Sequence, residues 1–344
     1  MESMEEKRIM TMKDIAKEFG TSVATVSRAL KDSPRISKER REAIQRFARE
    51  HNYIPNAIAE SLRHSRTKPV KTIGVIVPEI VHFFFSSVLA GIEAEASERG
   101  YRVMVACSNE QYEKEVSICR SFYENKVCGI IISQAKDTRT YDHFSSLISC
   151  GVPLVFYDRI CTGIDASRVV VDDYAGTYNA VSHMIQTGCR RIAFYGADIS
   201  LEITKNRFNG YKDALLRNKL PVDESIIILC DTLDDALRVT PDIMSHDTPP
   251  DAFFAINDDA AIGILYAVKN LGYNVPDDIS ICGFSNADKA IACEPQLTSV
   301  EQRGREVGKE AAMIVIDKAE GRSPANKIER RVVKTRLIER GTTK

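Results

Sequence analysis

Hydrophobic and polar positions follow one rhythm at the start of the chain and another after residue 71. Near the start, apolar residues recur every three or four positions, the period of a helix with one buried face. Met12, Ile15, Ala16 and Phe19 mark a first helix. Gly20 ends it, because glycine accepts the positive φ of a tight turn. Ser22 is placed to cap the next helix, Val23–Leu30, with Val26, Ala29 and Leu30 turned inward. Asp32-Ser33-Pro34 breaks that run. Ser37 is placed to cap a third helix that reaches about His51 and buries Ile44, Phe47 and Ala48. Two short helices around a glycine turn, braced by a third, make a helix-turn-helix; a generic three-helix domain is the plainer alternative.

Between the two rhythms lies Asn52–Arg66. Tyr53-Ile54-Pro55-Asn56 reads as a break, and Ala57 to about His64 as one short helix. A helix of that length is marginal in water and forms when something packs against it. Ala57, Ile58, Ala59, Ser61 and Leu62 give it an apolar-to-small face. Residues 64–70 are polar, contain a proline and read as a linker.

From residue 71 short apolar runs alternate with helix-patterned stretches. Strands are expected at Thr72–Val77, Arg102–Cys107, Gly129–Ser133, Leu154–Tyr157, Val169–Val171, Ile192–Tyr195, Ile226–Leu229, Ala252–Ala255 and Ile279–Gly283, with a last strand pattern over Arg331–Ile338. Helices are expected at Phe84–Glu98, Tyr112–Glu124, Tyr174–Thr187, Arg207–Asn218 and Ala260–Leu271. Such alternation builds parallel sheets covered on both faces. The strands are too many for one compact sheet, so two doubly wound lobes are expected. A break near Asp158–Ser167 and late crossovers near Ser285–Asp288 and Lys318–Pro324 would separate them. Ligands in such sheets sit beyond the C-terminal strand ends. That rule selects Phe84, Phe85, Ser133, Asp158, Arg159, Arg207, Asn257, Asp258 and Ser285 as candidates. Aromatics beside a few polar groups suit a sugar or another small polar ring. Phe84 and Phe85 read equally as core, and Asp158 equally as a structural cap.

Charge sharpens the division. The formal net charge is −1, but residues 7–68 hold 15 Lys/Arg against 7 Asp/Glu, and residues 69–344 hold 32 against 38. A basic head on a mildly acidic body points to nucleic acid. Nine cysteines show no C-x-x-C pair and no zinc spacing, which fits reduced thiols in a reducing compartment. The first residues lack the apolar core of a signal peptide, and no run approaches membrane-spanning length. A cytoplasmic protein is expected, which weighs against a sugar-binding transport receptor. No G-x-x-x-x-G-K-[ST], G-x-S-x-G or post-strand G-x-G-x-x-G motif is present and the six histidines do not cluster, so an enzyme is not expected.

The residues from Thr11 to Arg63 resemble the head of the lac repressor (LacI/GalR) family along their length. DIA, VATVSRAL, ISKERRE and NYIPNAIAESL match in order and spacing. The body resembles the same family's periplasmic-binding-protein-like effector domain, through IGVIVPEIVHFFFSSVLAGIEAEASERGY, VVVDDYAGTYNAVSHMIQTGCRRIAF, NRFNGYKDAL, FFAINDDAAIGIL and VPDDISICGFSN. The resemblance covers about residues 11–338 and implies an all-α DNA-binding head on a two-lobed α/β body. It implies a flexible residues 1–10, a DNA-binding domain over 11–56, a hinge helix and linker over 57–70, and an effector and dimerisation domain over 71–344. Within that domain the first lobe is expected at about 71–158 and 289–318, the second at about 159–285 and 324–340.

By position, the resemblance assigns Val23, Ala24 and Arg28 to base reading, and Ser22, Thr25, Lys31, Ser37 and Asn56 to phosphates. Ser22 is equally a plain helix cap. Ala59, Leu62 and Arg63 fall at minor-groove positions, with Leu62 as the wedge between base steps. One departure is Ser285, where many relatives carry an aspartate that accepts from effector hydroxyls. Its loss leaves Arg159 and Arg207 prominent and suggests a sugar acid or sugar phosphate rather than a neutral sugar. No cofactor or metal is expected. No heptad tail follows the last strand pattern, so the resemblance implies a homodimeric repressor on a pseudo-palindromic operator, under allosteric control by a carbohydrate effector.

Overall fold

The computed structural model describes residues 10–51, 53 and 71–344. Contacts divide the chain into two compact units, residues 1–68 and 69–344. In the first unit, α1 (Met12–Glu18), α2 (Val23–Leu30) and α3 (Lys38–Glu50) form where the apolar spacing places them. Thr11 and Asp14 make a reciprocal capping box at the start of α1. Gly20 takes a φ of +55° in the turn. Ile15, Ala16, Val26, Ala29, Ile44 and Ala48 form the buried core. Gln45 Nε2 donates to the Ala29 carbonyl and to Asp32 Oδ1, both at 2.9 Å, and so ties α3 to the end of α2. One expectation needs correction. Ser37 occupies the N-cap position of α3, but its side chain makes no capping hydrogen bond. Asn56, Ala59, Leu62, Arg63 and the expected hinge helix lie outside the described residues.

The second unit carries two six-stranded sheets with the same winding. The first contains β1 (Thr72–Val77), β2 (Arg102–Cys107), β3 (Gly129–Ile132), β4 (Leu154–Tyr157), β5 (Ser167–Val171) and β11 (Arg330–Val333), in the order β2-β1-β3-β4-β5-β11. The second contains β6 (Ile192–Gly196), β7 (Ile227–Leu229), β8 (Ala252–Ala255), β9 (Ser280–Ser285), β10 (Thr298–Glu301) and β12 (Arg336–Ile338), in the order β7-β6-β8-β9-β10-β12. Only the β10–β12 pair is antiparallel. Helices cover both faces: α4 (Phe83–Glu98), α5 (Tyr112–Glu124) and α6 (Asp142–Ser149) in the first lobe, and α7 (Asp173–Gln186), α8 (Glu202–Arg217), α9 (Leu233–Met244), α10 (Asp258–Asn270) and α11 (Lys289–Ala292) in the second.

A further helix, α12 (Gly304–Ala319), returns to the first lobe and packs on α4. Gly308 lets these helices cross closely, because a Cβ there would strike the Val88 backbone carbonyl.

The strand pairing moves the expected lobe boundaries. β5 pairs with β4, so the break lies at Asp172 and not within Asp158–Ser167. β10 joins the second sheet, so residues 298–301 belong to the second lobe, although 289–318 was expected in the first. The chain re-enters the first lobe only at Gln302-Arg303. The pattern at Arg331–Ile338 is two strands parted at Lys334-Thr335, the first in one sheet and the second in the other. Periodicity shows that a segment is a strand; hydrogen-bonded neighbours distant in sequence decide its sheet.

Candidate functional site

The C-terminal strand ends of both sheets converge on a cavity of about 210 Å³. That is roughly seven waters at about 30 Å³ each, room for one small ring. Phe84, Phe85, Asp158, Arg159, Arg207, Asn257, Asp258 and Ser285 line it. Ser133 does not; its side chain is fully buried and its N–H donates to the Ile76 carbonyl. Arg207 does not open its helix as expected. α8 begins five residues earlier at Glu202, because the uncapped first turn carries no start signal.

Each lobe offers one mounted arginine. Arg207 is buried; its Nε donates to Asp173 Oδ1 at 2.8 Å, its Nη1 to the Ile256 carbonyl at 2.6 Å, and its guanidinium lies 3.7 Å above the Phe284 ring. Nη2 lies 2.7 Å from Asp173 Oδ1, at an angle that makes no hydrogen bond. Arg159 Nη1 donates to both oxygens of Glu110 at 2.6 and 2.7 Å, and its guanidinium lies 5.8 Å from the Phe85 ring. Both charges therefore already have carboxylate partners. Lining carboxylates (Glu79, Asp158, Asp231, Asp258, Asp259) outnumber the lining Lys and Arg (Lys136, Arg159, Arg207, Lys289). Arg159 and Arg207 therefore offer no unneutralised charge to an anionic ligand, contrary to the expectation of a sugar acid or sugar phosphate.

One lining residue carries a buried group without a partner. Thr204 Oγ1 has no hydrogen bond, and Thr204 lines the cavity. Buried polar atoms are rarely left unpaired unless a ligand or water completes them. Asp158 holds a left-handed φ of +56° at the end of β4, and Ser285 a φ of +128° at the end of β9. Such strain in non-glycine residues collects at functional sites. Burial pushes the Asp158 carboxyl up from its ordinary range. Asp258 is pushed up to about 6 by burial, opposed by the Ser299 hydroxyl at 2.5 Å and the Ala287 N–H at 2.6 Å. Ser285 Oγ donates to Gln302 Oε1 at 2.8 Å, so the hydroxyl at this position is tied to the crossover after β10.

Among the described residues, two ion pairs span the lobes. Lys136, in the loop after β3, meets Asp231, just after β7, at 2.7 Å. His82, ahead of α4, lies 3.0 Å from Glu79 and 3.5 Å from Asp259 across the cleft; Asp259 also pairs with Lys289. Contact with Asp259 raises His82, while contact with His82 and then Lys289 holds Asp259 at about 2. The Lys136 loop is held from below. Glu110 Oε2 accepts the Lys136 N–H at 2.7 Å, and the buried Glu115 accepts from the Ala135 N–H, Thr138 Oγ1 and His143. Sequence reasoning missed His82, Lys136, Thr204, Asp231 and Asp259. The strand-end rule reaches His82 and Asp231 if applied a few residues further, and Thr204 lies one turn before Arg207 on one face of α8.

In the head, Ala24 and Arg28 are exposed on α2, and the Arg28 side chain has no hydrogen bond or ion pair among the described residues. Val23 is half-buried against the head's core. Ser22 Oγ accepts the Thr25 N–H and lies 2.9 Å from Thr25 Oγ1, so both are engaged at the helix start. Lys31 and Ser37 are exposed.

A helix-turn-helix head joined to a two-lobed ligand-binding body defines a DNA-binding transcription regulator. Residues 11–56 match the model of bacterial regulatory proteins of the lacI family, and residues 181–343 a periplasmic binding protein-like domain. The chain is 31% identical over 301 residues to catabolite control protein A of Priestia megaterium, covering 87% of this chain and 89% of that one. It is 28% identical over 347 residues to the HTH-type transcriptional repressor CytR of Escherichia coli (strain K12), covering 100% and 99%. A solved transcriptional regulator CelR–cellobiose complex aligns with a TM-score of 0.73 at 25% identity, over 97% of this chain and 99% of that one. The lac repressor dimer bound to operator shares the fold, with a TM-score of 0.83 at 23% identity over 98% and 99%. The chain belongs to the lacI family of bacterial regulatory proteins, and it is a transcriptional regulator, not an enzyme.

Proposed function

We propose that this regulator is a cytoplasmic repressor that binds a pseudo-palindromic operator as a homodimer and takes a neutral sugar-like effector in its cleft. The observation that carries the effector reading is the buried, unpartnered hydroxyl of Thr204, a residue that lines the cavity with Phe84 and Phe85. A hydroxylated ring would complete this group. Asp158, Asn257 and Asp258 supply further polar partners and the phenylalanines an apolar wall. Neutrality follows from the engaged arginines: an anion would compete with Asp173 and Glu110 for charge already neutralised. Related solved structures hold cellobiose, ribose and D-xylulofuranose.

On DNA, Arg28 would donate two hydrogen bonds to a guanine, and Val23 and Ala24 would give apolar contact in the major groove. Ser22, Thr25, Lys31, Ser37 and Asn56 would set register on phosphates. Leu62 would wedge into the minor groove beside Ala59 and Arg63. Dimerisation is supported by β2 and β7, the same-side edges of the two sheets, with Met104, Val105 and Leu229 exposed and Tyr266 exposed on α10. Effector binding would change the angle between the lobes and, through the chain before residue 71, operator affinity.

Operator selection from random DNA, followed by mobility shifts, tests the DNA half. A palindrome bound with steep salt dependence is expected, and its unweakened binding by Arg28→Ala would remove the base-reading assignment. Calorimetric titration with neutral sugars and their acids tests the effector half; binding confined to the acids would overturn it.

A further inference from the structure

A second cavity, of about 370 Å³, lies between the first lobe and the start of α8, and shares Asp158 and Ile203 with the effector cleft. Its floor is the face of β5 and β11. Arg168 and Arg330 are register partners in this parallel pair, so their side chains lie on one face, one strand apart. Both line the cavity. Among the described residues neither guanidinium has a hydrogen bond or an ion pair. Like charges facing each other across a strand pair are destabilising. The neighbouring Arg331 belongs to the other face of the strand and is engaged by Glu310 and Glu329, so acidic partners were available nearby yet none serves Arg168 or Arg330. The wall opposite is the first turn of α8, which has no side-chain cap, and its Asn206 adds an amide to the lining. Uncapped helix N–H groups favour negative charge. Glu202 in that turn, Asp158 and Asp173 are the competing carboxylates of the lining; Asp173 is taken by Arg207, and no ion pair joins any of the three to Arg168 or Arg330 among the described residues.

We propose that this cavity is a second ligand site, distinct from the effector cleft, that takes the phosphate group of a small phosphate monoester between Arg168 and Arg330. Guanidinium pairs suit a tetrahedral dianion because each presents a planar fork of donors. The cavity is larger than a phosphate ion alone needs, and Asn206 offers polar contact to the rest of the ester. Because Asp158 lines both cavities, occupancy here would bear on a wall of the effector cleft.

The test uses the full chain at fixed ionic strength, with thermal melting and calorimetric titration against inorganic phosphate and glycerol 3-phosphate. Wild type is expected to gain a saturable rise in Tm, with glycerol 3-phosphate binding tighter than phosphate. Arg168→Gln/Arg330→Gln should lose the rise and bind at least about tenfold more weakly, while melting no lower without ligand, since its like-charge contact is gone. Phosphate also stabilises proteins by exclusion, so an equal rise in wild type and the double variant would overturn the proposal. Lys136→Met, on the effector cleft, should keep the rise. Loss there, with retention in the arginine variant, would place the phosphate in the effector cleft and equally overturn it.

Discussion

The two lobes mount their arginines differently, and the contrast separates recognition from closure. Arg207 and Asp173 keep only 5% and 8% of their side chains exposed, with Phe284 stacked beneath. Arg159 and Glu110 keep 11% and 20%, and Glu110 also holds the Lys136 backbone. The second-lobe pair is part of a packed interior. The first-lobe pair is part of a loop assembly whose outermost member reaches across to Asp231. A ligand that completes Thr204 docks on the rigid wall, and the looser wall then sets how firmly the cleft closes.

The largest effect is expected from Asp173→Ala. It strands a buried guanidinium, which costs about 3–5 kcal/mol. Urea denaturation of the full chain reads it; a loss below about 1 kcal/mol would mean that water reaches Arg207 and that the lobes do not differ in this way. Glu110→Ala sharpens the contrast from the other side. The freed Arg159 is nearer solvent, so about 1–3 kcal/mol is expected, with the Lys136 N–H losing its acceptor too. If Glu110→Ala proved the costlier of the two, the assignment of rigid and mobile walls would be reversed.

Much of this was legible in advance, and the failures share a cause. The helices of the head follow from spacing that repeats within a few residues. The cleft residues follow from one rule about strand ends. Ser133 obeys that rule and still fails, because the cavity is bounded by Lys136, three residues further along the same loop. The lobe boundary failed because Ser167–Val171 looks the same whichever sheet it joins. Its pairing with Leu154–Tyr157 on one side and Arg330–Val333 on the other decides the matter, and the second partner lies about half the chain away. The mounting of Arg207 was hidden for a similar reason: Asp173 belongs to another helix, so the sequence presents a free cation where the fold presents a neutralised one.

Thr204→Val tests the rigid wall without breaking it. The Thr204 hydroxyl is buried and has no hydrogen bond in the free protein, so replacing it with a methyl should leave stability unchanged or slightly higher. Affinity for the sugar identified by titration should nevertheless fall by about 0.5–1.5 kcal/mol, one neutral hydrogen bond. Equal loss of stability and affinity would show that the hydroxyl serves the fold and that the cavity's unpartnered group is not a ligand's complement.

The smallest effect belongs to the loose wall and depends on pH. Glu79 and Asp259 face the His82 ring, Lys289 competes for Asp259, and Asp158 senses the same charge. His82 titrates above its ordinary 6.5, so its bridge is fully formed below that value and fades as pH rises through the raised one. Asp259, at about 2 against an ordinary 3.8, supports the bridge above 3.8 and loses it as pH falls towards 2. The window of firmest closure therefore lies between roughly pH 4 and 6.5. Asp258 and Asp173, both pushed up to about 6 by burial, and Asp158, raised by burial too, also stabilise the fold as pH falls, so the wild-type slope alone is ambiguous. The difference between wild type and His82→Gln isolates the bridge. Across the range from pH 5 to 8 the variant should show a shallower rise in Tm on acidification. The gap should shrink in high salt because the ring and its partners are partly exposed. Parallel curves for the two proteins would assign the whole slope to the buried carboxylates Asp258, Asp173 and Asp158 and leave Lys136–Asp231 as the interlobe pair that matters.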